Sequence, residues 1–533
     1  MIYLLAFVLA VWSTWRVSKQ IFAKSTLDFV PGPLRASFFT GNLSQLLDSQ
    51  GWDFHTQIGE RFGPVVRING FFGRPWLYIF DPLALQHIVK DTATYDELPW
   101  YLQSNCILLG PGVLSVTGTH RKQRKMFTPP FASRHLRGLD PVFYSVTRNL
   151  VNAISLCAGD DTQDVDILQW MSRAALELIG QTGLGHSFDP LTQDVSNAYS
   201  DAVKNFAPVA TSGEVMLLRQ LTPLVGSFGP AWLRRWLVEK VPIAGVQKPI
   251  HISDTLHLQT SELLRDKKAA VLVNGTTNDI MSALLQANTE ASNEDVLPDD
   301  QLLGQISSIL FAAMDTTSNA TSRILHLLAQ HPHIQDRLRR EVIQARAAAG
   351  GDLDYDQLHA LLYLDAVCRE TLRLYPPAPQ TFRGTMQDAV LPLSQPIRGT
   401  DGSTIKQLTI PRGTNIIIAI MACNCSKALW GEDAREWKPE RWLAPLPATM
   451  ENAAIPGVYS HIMTFLGGGR SCIGLTFAQL EMNFVLSELL ASFVFEPSTT
   501  PVFWNLSGIT FPSASLKSTK PELWLRVRQL SAE

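Results

Sequence analysis

Near its C-terminus the chain reads Phe465-Leu-Gly-Gly-Gly-Arg-Ser-Cys472-Ile-Gly474, followed by an apolar, helix-forming run from Leu475 to Leu490. Glycines let the main chain turn tightly and approach another group closely. A cysteine in such a turn, directly ahead of a helix, has backbone N–H groups and the positive end of a helix dipole beside it. Both favour the thiolate, so the stretch predicts a lowered thiol pKa at Cys472 and a sulfur able to hold a metal. The ordinary fate of a free cysteine is an inert core position, and the spacing around Cys472 is what separates the two readings.

That spacing, F-x-x-G-x-R-x-C-x-G, resembles the signature of the cytochrome P-450 family at every defined position. Five fixed positions at a few per cent each make a chance match roughly 1 in 10^6 per window. The resemblance implies a mainly α fold with small β-sheets (α+β) around a buried haem b, iron protoporphyrin IX, with Cys472 as axial ligand and Phe465 and Gly474 as part of the cofactor loop. Thiolate ligation pushes electron density onto iron and favours O–O cleavage, a property for which this family is the type case.

At 533 residues the length alone suggests three or four domains, but only 17% of residues are charged and no long polar linker divides the chain. One large, well-buried unit is therefore expected. A net charge of −3 without a basic stripe argues against nucleic acid as a partner. The six cysteines are scattered, and Cys423-Asn-Cys425 matches neither a zinc knuckle nor a redox pair, so they read as reduced thiols in a cytosol-facing protein.

Met1 to Trp15 is almost wholly apolar and is followed by Arg16, Lys19 and Lys24, which leaves the body of the chain cytosolic by the positive-inside rule. It resembles a microsomal signal anchor, implying an endoplasmic-reticulum membrane enzyme. The uninterrupted run Ile2 to Trp12 is shorter than the ~20 residues of a comfortable span. Ala23-Lys-Ser25 offers a weak cleavage site, but no basic segment precedes the run. Residues 1–30 are thus expected to be membrane anchor and linker, and 31–533 the monooxygenase domain, with Pro31-Gly-Pro33 as a stiff break between them.

Val65–Ile68 and Trp76–Phe80 alternate like strands around Asn69-Gly70 and Gly73, predicting a hairpin. Most of the remainder is helical in pattern, broken at Val273-Asn-Gly275 and Ala349-Gly-Gly351, without internal repeats. Asp299 to Gln330, bounded by Pro298 and His331-Pro332, predicts one helix about 48 Å long. Its apolar stretch is interrupted by Asp315-Thr316-Thr317-Ser318, and polar groups buried there need partners or a task. In the family the corresponding acid and threonine deliver protons to iron-bound dioxygen, which assigns Asp315 and Thr316 that role by resemblance. Ala313 stands where the family pattern most often has glycine.

Glu370-Thr-Leu-Arg373 puts acid and base on one helix face, and Pro439-Glu-Arg441 supplies a second arginine. The pattern is weak alone, but its order along the chain resembles the family, which joins Glu370, Arg373 and Arg441 in a buried triad. Haem propionates call for cationic and hydrogen-bonding residues. The resemblance nominates Arg470, Arg383, Arg124 and His120, the last standing in place of a family tryptophan. Arg121, Lys122 and Lys125 read as a face for an acidic reductase.

By resemblance Tyr101, Ile107, Val113 and Leu114 cap the substrate pocket with Phe311, Ala312 and Pro379, while Phe206 to Trp236 forms a lid broken at Gly226-Ser-Phe-Gly229-Pro230. These pocket residues are apolar or small, and no charged residue stands out as a clamp, although Gln103, Asn105 and Gln380 can hydrogen-bond an oxygenated skeleton. The expected reaction is insertion of one oxygen atom from O2 into a hydrophobic natural product such as a terpenoid. Electrons come from NADPH through NADPH-cytochrome P-450 reductase, with cytochrome b5 as a further donor. A fatty-acid or xenobiotic hydroxylase is the nearest alternative. A thiolate-haem isomerase or dehydratase, needing no reductase, is a more distant one that Asp315-Thr316 argues against. A haem sensor without turnover leaves the lid and the proton-delivery pair idle.

Overall fold

A computed structural model describes residues 25–530, except 160–161, 193–197, 211–212, 226–228, 243, 275–278, 292–295 and 460. The expected anchor, Met1 to Trp15, lies outside these residues; among the described residues no helix is long and apolar enough to cross a membrane.

The predicted hairpin forms from Val65–Asn69 and Pro75–Ile79, paired antiparallel with Val65 opposite Ile79. Pro31 is tied to it, its carbonyl accepting from Arg67 N–H at 2.8 Å. The hairpin is one edge of a five-stranded sheet. Pro75–Ile79 pairs parallel with Asn415–Ile418, which pairs antiparallel with Thr381–Thr385, and Tyr95–Asp96 closes the other edge. Ile416, Ile417 and Ile418 are fully buried, as a strand covered on both faces requires.

The other core is helical. Asp299–Gln330 forms one helix with the predicted bounds. Pro298, which precedes it, and the Pro332 that starts the next helix act as the stop signals the sequence suggested. Most of its central turns are buried all round, so it crosses the interior. Ile167–Ile179 packs on it with nearly every side chain buried. Leu475–Ser492 is also buried all round from Leu480 to Leu490; its Phe484 stacks on Phe143 of Asp140–Ala158 at 5.1 Å between ring centres. A cavity here is expensive: Leu310, fully buried on the central helix, has the setting in which truncation to alanine costs about 2–5 kcal/mol.

Three shorter helices follow in the chain, Ala198–Ala210, Gly213–Val225 and Ala231–Glu239; the first packs on the central helix and the second on Pro99–Leu109. They occupy the span expected to be the lid; of the expected break, residues 226–228 lie outside the described residues, while Gly229 has φ 61° and Pro230 caps the last helix.

Candidate active site

The cysteine loop is shaped by close backbone contacts. A Cβ at Gly467 would lie 1.9 Å from the Pro456 carbonyl oxygen, and one at Gly468, whose φ is +67°, 1.9 Å from that of Val89. No other residue fits either position without moving the main chain. Cys472 N–H donates to Phe465 O at 2.9 Å, closing the loop on itself, and the helix beginning at Leu475 follows.

Cys472 looks into an internal cavity of about 340 Å³ that Phe465, Leu466 and Arg470 also line. Its surface is exposed to that cavity. The enclosing protein desolvates the thiol and pushes its pKa up, with the Gly474 backbone N–H and Arg124 only partly opposing. The sequence expectation of a lowered pKa is therefore corrected: one helix terminus is outweighed by burial.

Ala312, Thr316 and Thr317 of the central helix and Phe311 line the same cavity. Thr316 Oγ1 donates to Ala312 O at 2.6 Å, bonding back to the preceding turn while the helix continues unbroken. Asp315 does not face the cavity. It is 2% exposed and accepts from Lys204 Nζ at 2.9 Å and Asn319 Nδ2 at 3.1 Å. Lys204, on the lid helix Ala198–Ala210, also donates to Ser318 Oγ at 2.6 Å. Burial pushes Asp315 up and Lys204 down in pKa, and each pulls the other back toward its charged form.

A cationic cluster stands beside Cys472. Arg124 Nη2 donates to Ser471 Oγ at 3.0 Å. Arg470 reaches Asp96 at 3.1 Å and Glu97 at 3.2 Å, and Arg383 reaches Glu97 at 3.4 Å. His120 is buried among them; desolvation, then Arg470, Arg124 and Arg383, pull its pKa down to about 3, so its ring is neutral. Arg470 and Arg383 pair with the two carboxylates and Arg124 has none among the described residues, so three guanidiniums stand against two acids, an excess suited to an anion. A flat, apolar, dianionic macrocycle matches this donor set: sulfur on one wall, small side chains on the opposite one, and cations beside the sulfur.

Behind the loop, Glu370 and Arg373 are fully buried and paired through two 2.8 Å contacts, and Arg441 Nε approaches Glu370 at 3.4 Å. Arg373 also donates to the carbonyl of Asn424 at 2.9 Å. The Asn424 side chain accepts from Met463 N–H at 2.7 Å and donates to Thr464 Oγ1 at 2.9 Å. Thr464 immediately precedes Phe465, so the ion pair holds the entry of the cysteine loop through one asparagine, a link no motif announced.

Of the residues expected to cap the pocket, Tyr101, Leu114, Phe311 and Ala312 line the cavity. Ile107 does not: it is 61% exposed, on the outer side of the helix Pro99–Leu109. The polar residues of that helix, Gln103, Ser104 and Asn105, run consecutively around it, so their pattern marks no inward face. Val113 is off the cavity wall, its N–H donating to Gln305 Oε1 at 3.1 Å. Pro379 lines a smaller neighbouring cavity, while Ala378, Gln380 and Thr381 line the main one. The absence of a charged clamp is also corrected. Arg219, from the lid helix Gly213–Val225, is buried on the cavity wall.

A metal-seeking sulfur and a hydroxyl facing the same apolar slot, with cations beside it, is the layout of a haem-thiolate protein. The family model described as Cytochrome P-450 matches residues 31–517. The chain is 46% identical to cytochrome P-450 monooxygenase 91 of Postia placenta over 99% of both chains. It is 43% identical to a ganoderic acid synthetase of Ganoderma lucidum over 99% of this chain and 98% of that one. A cytochrome P-450 monooxygenase of Hericium erinaceus is 36% identical over 96% and 95%. The chain belongs to the cytochrome P-450 family, of fungal type. It is a haem-thiolate monooxygenase, an oxidoreductase that uses haem iron and O2.

Proposed function

We propose that this enzyme hydroxylates C–H bonds of an apolar natural product of terpenoid type, with Cys472 as the ligand of haem b. The observation that carries the site assignment is the single cavity shared by the Cys472 thiol, Thr316 and the lid. The terpenoid class is supported by the apolar walls and by the name of the Ganoderma relative.

In this reading Cys472 Sγ would hold the iron; burial favours the protonated free thiol, and a bound metal cation would favour the thiolate, the proton leaving to solvent. Arg124, Arg383, Arg470 and His120 hold the propionates, and Phe465 and Gly474 complete the loop around the ligand. The haem, when bound, supplies activation of O2 and transfer of one of its oxygen atoms to carbon. Thr316 Oγ1 holds a proton at the cavity wall, and the hydroxyl accepts a replacement through its free lone pairs. Asp315 supplies that replacement once Lys204 releases its carboxylate and the carboxylate takes up a proton from water. Phe311, Leu114 and the lid exclude bulk water, which strengthens polar contacts inside. Electrons reach the site from NADPH through NADPH-cytochrome P-450 reductase, with cytochrome b5 as an auxiliary donor and Arg121 and Lys125 exposed for docking.

We assign residues 1–30 to an endoplasmic-reticulum anchor and linker and 31–533 to the catalytic domain in the cytosol. Support comes from a contiguous aromatic patch just after that segment: Phe38, Phe39 and Phe72 are 47%, 65% and 45% exposed and pack edge to face. Exposed patches of this kind mark interaction surfaces.

The test is turnover by membranes holding the protein and a reductase, with NADPH and isotopically heavy O2, on a terpenoid panel. One heavy oxygen gained only with NADPH is expected. Conversion of an added peroxide without NADPH overturns the reading in favour of an isomerase or dehydratase.

A further inference from the structure

Arg219 is 6% exposed, yet no carboxylate pairs with it among the described residues. Other buried arginines have an acid: Arg173 has Asp189, Arg373 has Glu370, Arg383 has Glu97 and Arg441 has Asp433. Arg323 also lacks one, but it lies between the Tyr375 and Trp504 rings and does not line the cavity. Arg219 does line it.

Its partners are neutral. Nε donates to Ser104 Oγ at 2.8 Å, Nη1 to Ala210 O at 3.1 Å and Nη2 to Asn105 Oδ1 at 2.9 Å. The Trp100 and Tyr101 rings lie 5.7 and 5.1 Å from its guanidinium carbon. These contacts fix the fork and leave two of its five N–H groups, one on each terminal nitrogen, without an acceptor among the described residues. Glu97, the acid on the cavity wall, is committed to Arg383 and Arg470. Desolvation lowers the pKa of Arg219, but a guanidinium does not lose its proton in a protein, so the charge stays. An apolar side chain would close the lid over Leu114, Phe206 and Phe311 without a buried, unpaired cation. Two unused N–H donors on one guanidinium in a dry site are a donor set that the two oxygens of a carboxylate satisfy.

We infer that Arg219 is a carboxylate anchor, and that the substrate is an apolar skeleton bearing a carboxylate that the lid arginine grips while the rest lies against the Ala312 and Thr316 wall. This rests on the reading of the cavity as the substrate pocket. It narrows the substrate class from a neutral hydrocarbon to an amphipathic acid, and makes Arg219 a specificity-determining residue.

The experiment measures binding to the full-chain holoprotein by equilibrium dialysis, using dehydroabietic acid and lauric acid, each against its methyl ester. Each acid is expected to bind the parent about 10- to 100-fold more tightly than its ester, the range that hydrogen bonds to a charged group contribute. In Arg219→Gln the preference disappears while ester affinity holds, and Arg219→Lys retains part of it. Equal affinity of acid and ester in the parent overturns the inference. So does a parallel loss of both in Arg219→Gln, which makes Arg219 a tie between lid and pocket only. The carbon monoxide difference spectrum of the same samples separates this from the underlying reading. A normal thiolate spectrum with no acid preference overturns the anchor alone; an acid preference without a thiolate spectrum overturns the haem assignment alone.

Discussion

Replacing Glu370 by glutamine keeps the shape of the side chain and removes its charge from a site with no exposure to water. The carboxylate accepts from Arg373 Nε and Nη2, both at 2.8 Å, from Trp442 Nε1 at 3.0 Å, from Lys438 N–H at 3.1 Å and from Arg441 Nε at 3.4 Å. An amide can accept through only one of its heavy atoms, so Arg373, itself fully buried, is left uncompensated on one side. Breaking one partner out of a buried pair costs about 3–5 kcal/mol, a large share of the roughly 5–15 kcal/mol by which a domain is stable. With an unfolding entropy of about 2.1 cal/mol/K per residue over roughly 500 residues, Tm falls by about 3–5 °C. Because Arg373 reaches the cysteine loop through Asn424, haem content falls as well, while turnover per haem retained is preserved. Scanning fluorimetry and haem quantification of the full-length variant measure both. A Tm unchanged to within about 1 °C, or equal haem content in variant and parent, refutes the reasoning.

Other consequences are equally direct. Glu481 is buried with Oε2 unpartnered among the described residues, and desolvation holds its pKa well above the ordinary 4.5. Its contribution to stability is full below about pH 4.5 and is lost as pH rises toward the folded pKa, because only the unfolded chain then ionises freely. Glu481→Gln therefore gains Tm relative to the parent at pH 8 but not at pH 4.5; an equal difference at both pH values refutes this. Gly468→Ala forces a Cβ into the Val89 carbonyl at positive φ, an overpacking and left-handed penalty of roughly 2–4 kcal/mol together. A chemical-denaturation midpoint equal to that of the parent would contradict it. Asp315→Asn is expected to slow product formation roughly 100-fold, the low end for a positioned proton donor. Thr316→Ala is expected to release NADPH consumption from product formation; full coupling in that variant would sink the proton-delivery assignment.

Features written in local chemistry were legible beforehand. Pro298 and His331-Pro332 bounded the central helix, and Asn69-Gly70 with Gly73 marked the hairpin, because stop and turn signals act within a few residues. The glycine-cysteine loop was legible for the same reason. What escaped depends on contacts far apart in sequence. Lys204 meets Asp315 across 111 positions, and Arg219 meets Asn105 across 114, with no motif marking either lid residue. The resemblance puts Ile107 at the pocket, and Pro99–Leu109 has no polar stripe by which the sequence alone corrects it. The thiol pKa at Cys472 was misjudged because a dipole can be read from sequence, whereas the degree of enclosure cannot.

The identity of the iron ligand is tested most directly by the carbon monoxide difference spectrum of the reduced, haem-loaded protein and its Cys472→Ala variant. The account predicts a thiolate-type band in the parent and its absence in the variant. A variant that keeps the normal thiolate-type spectrum would contradict it.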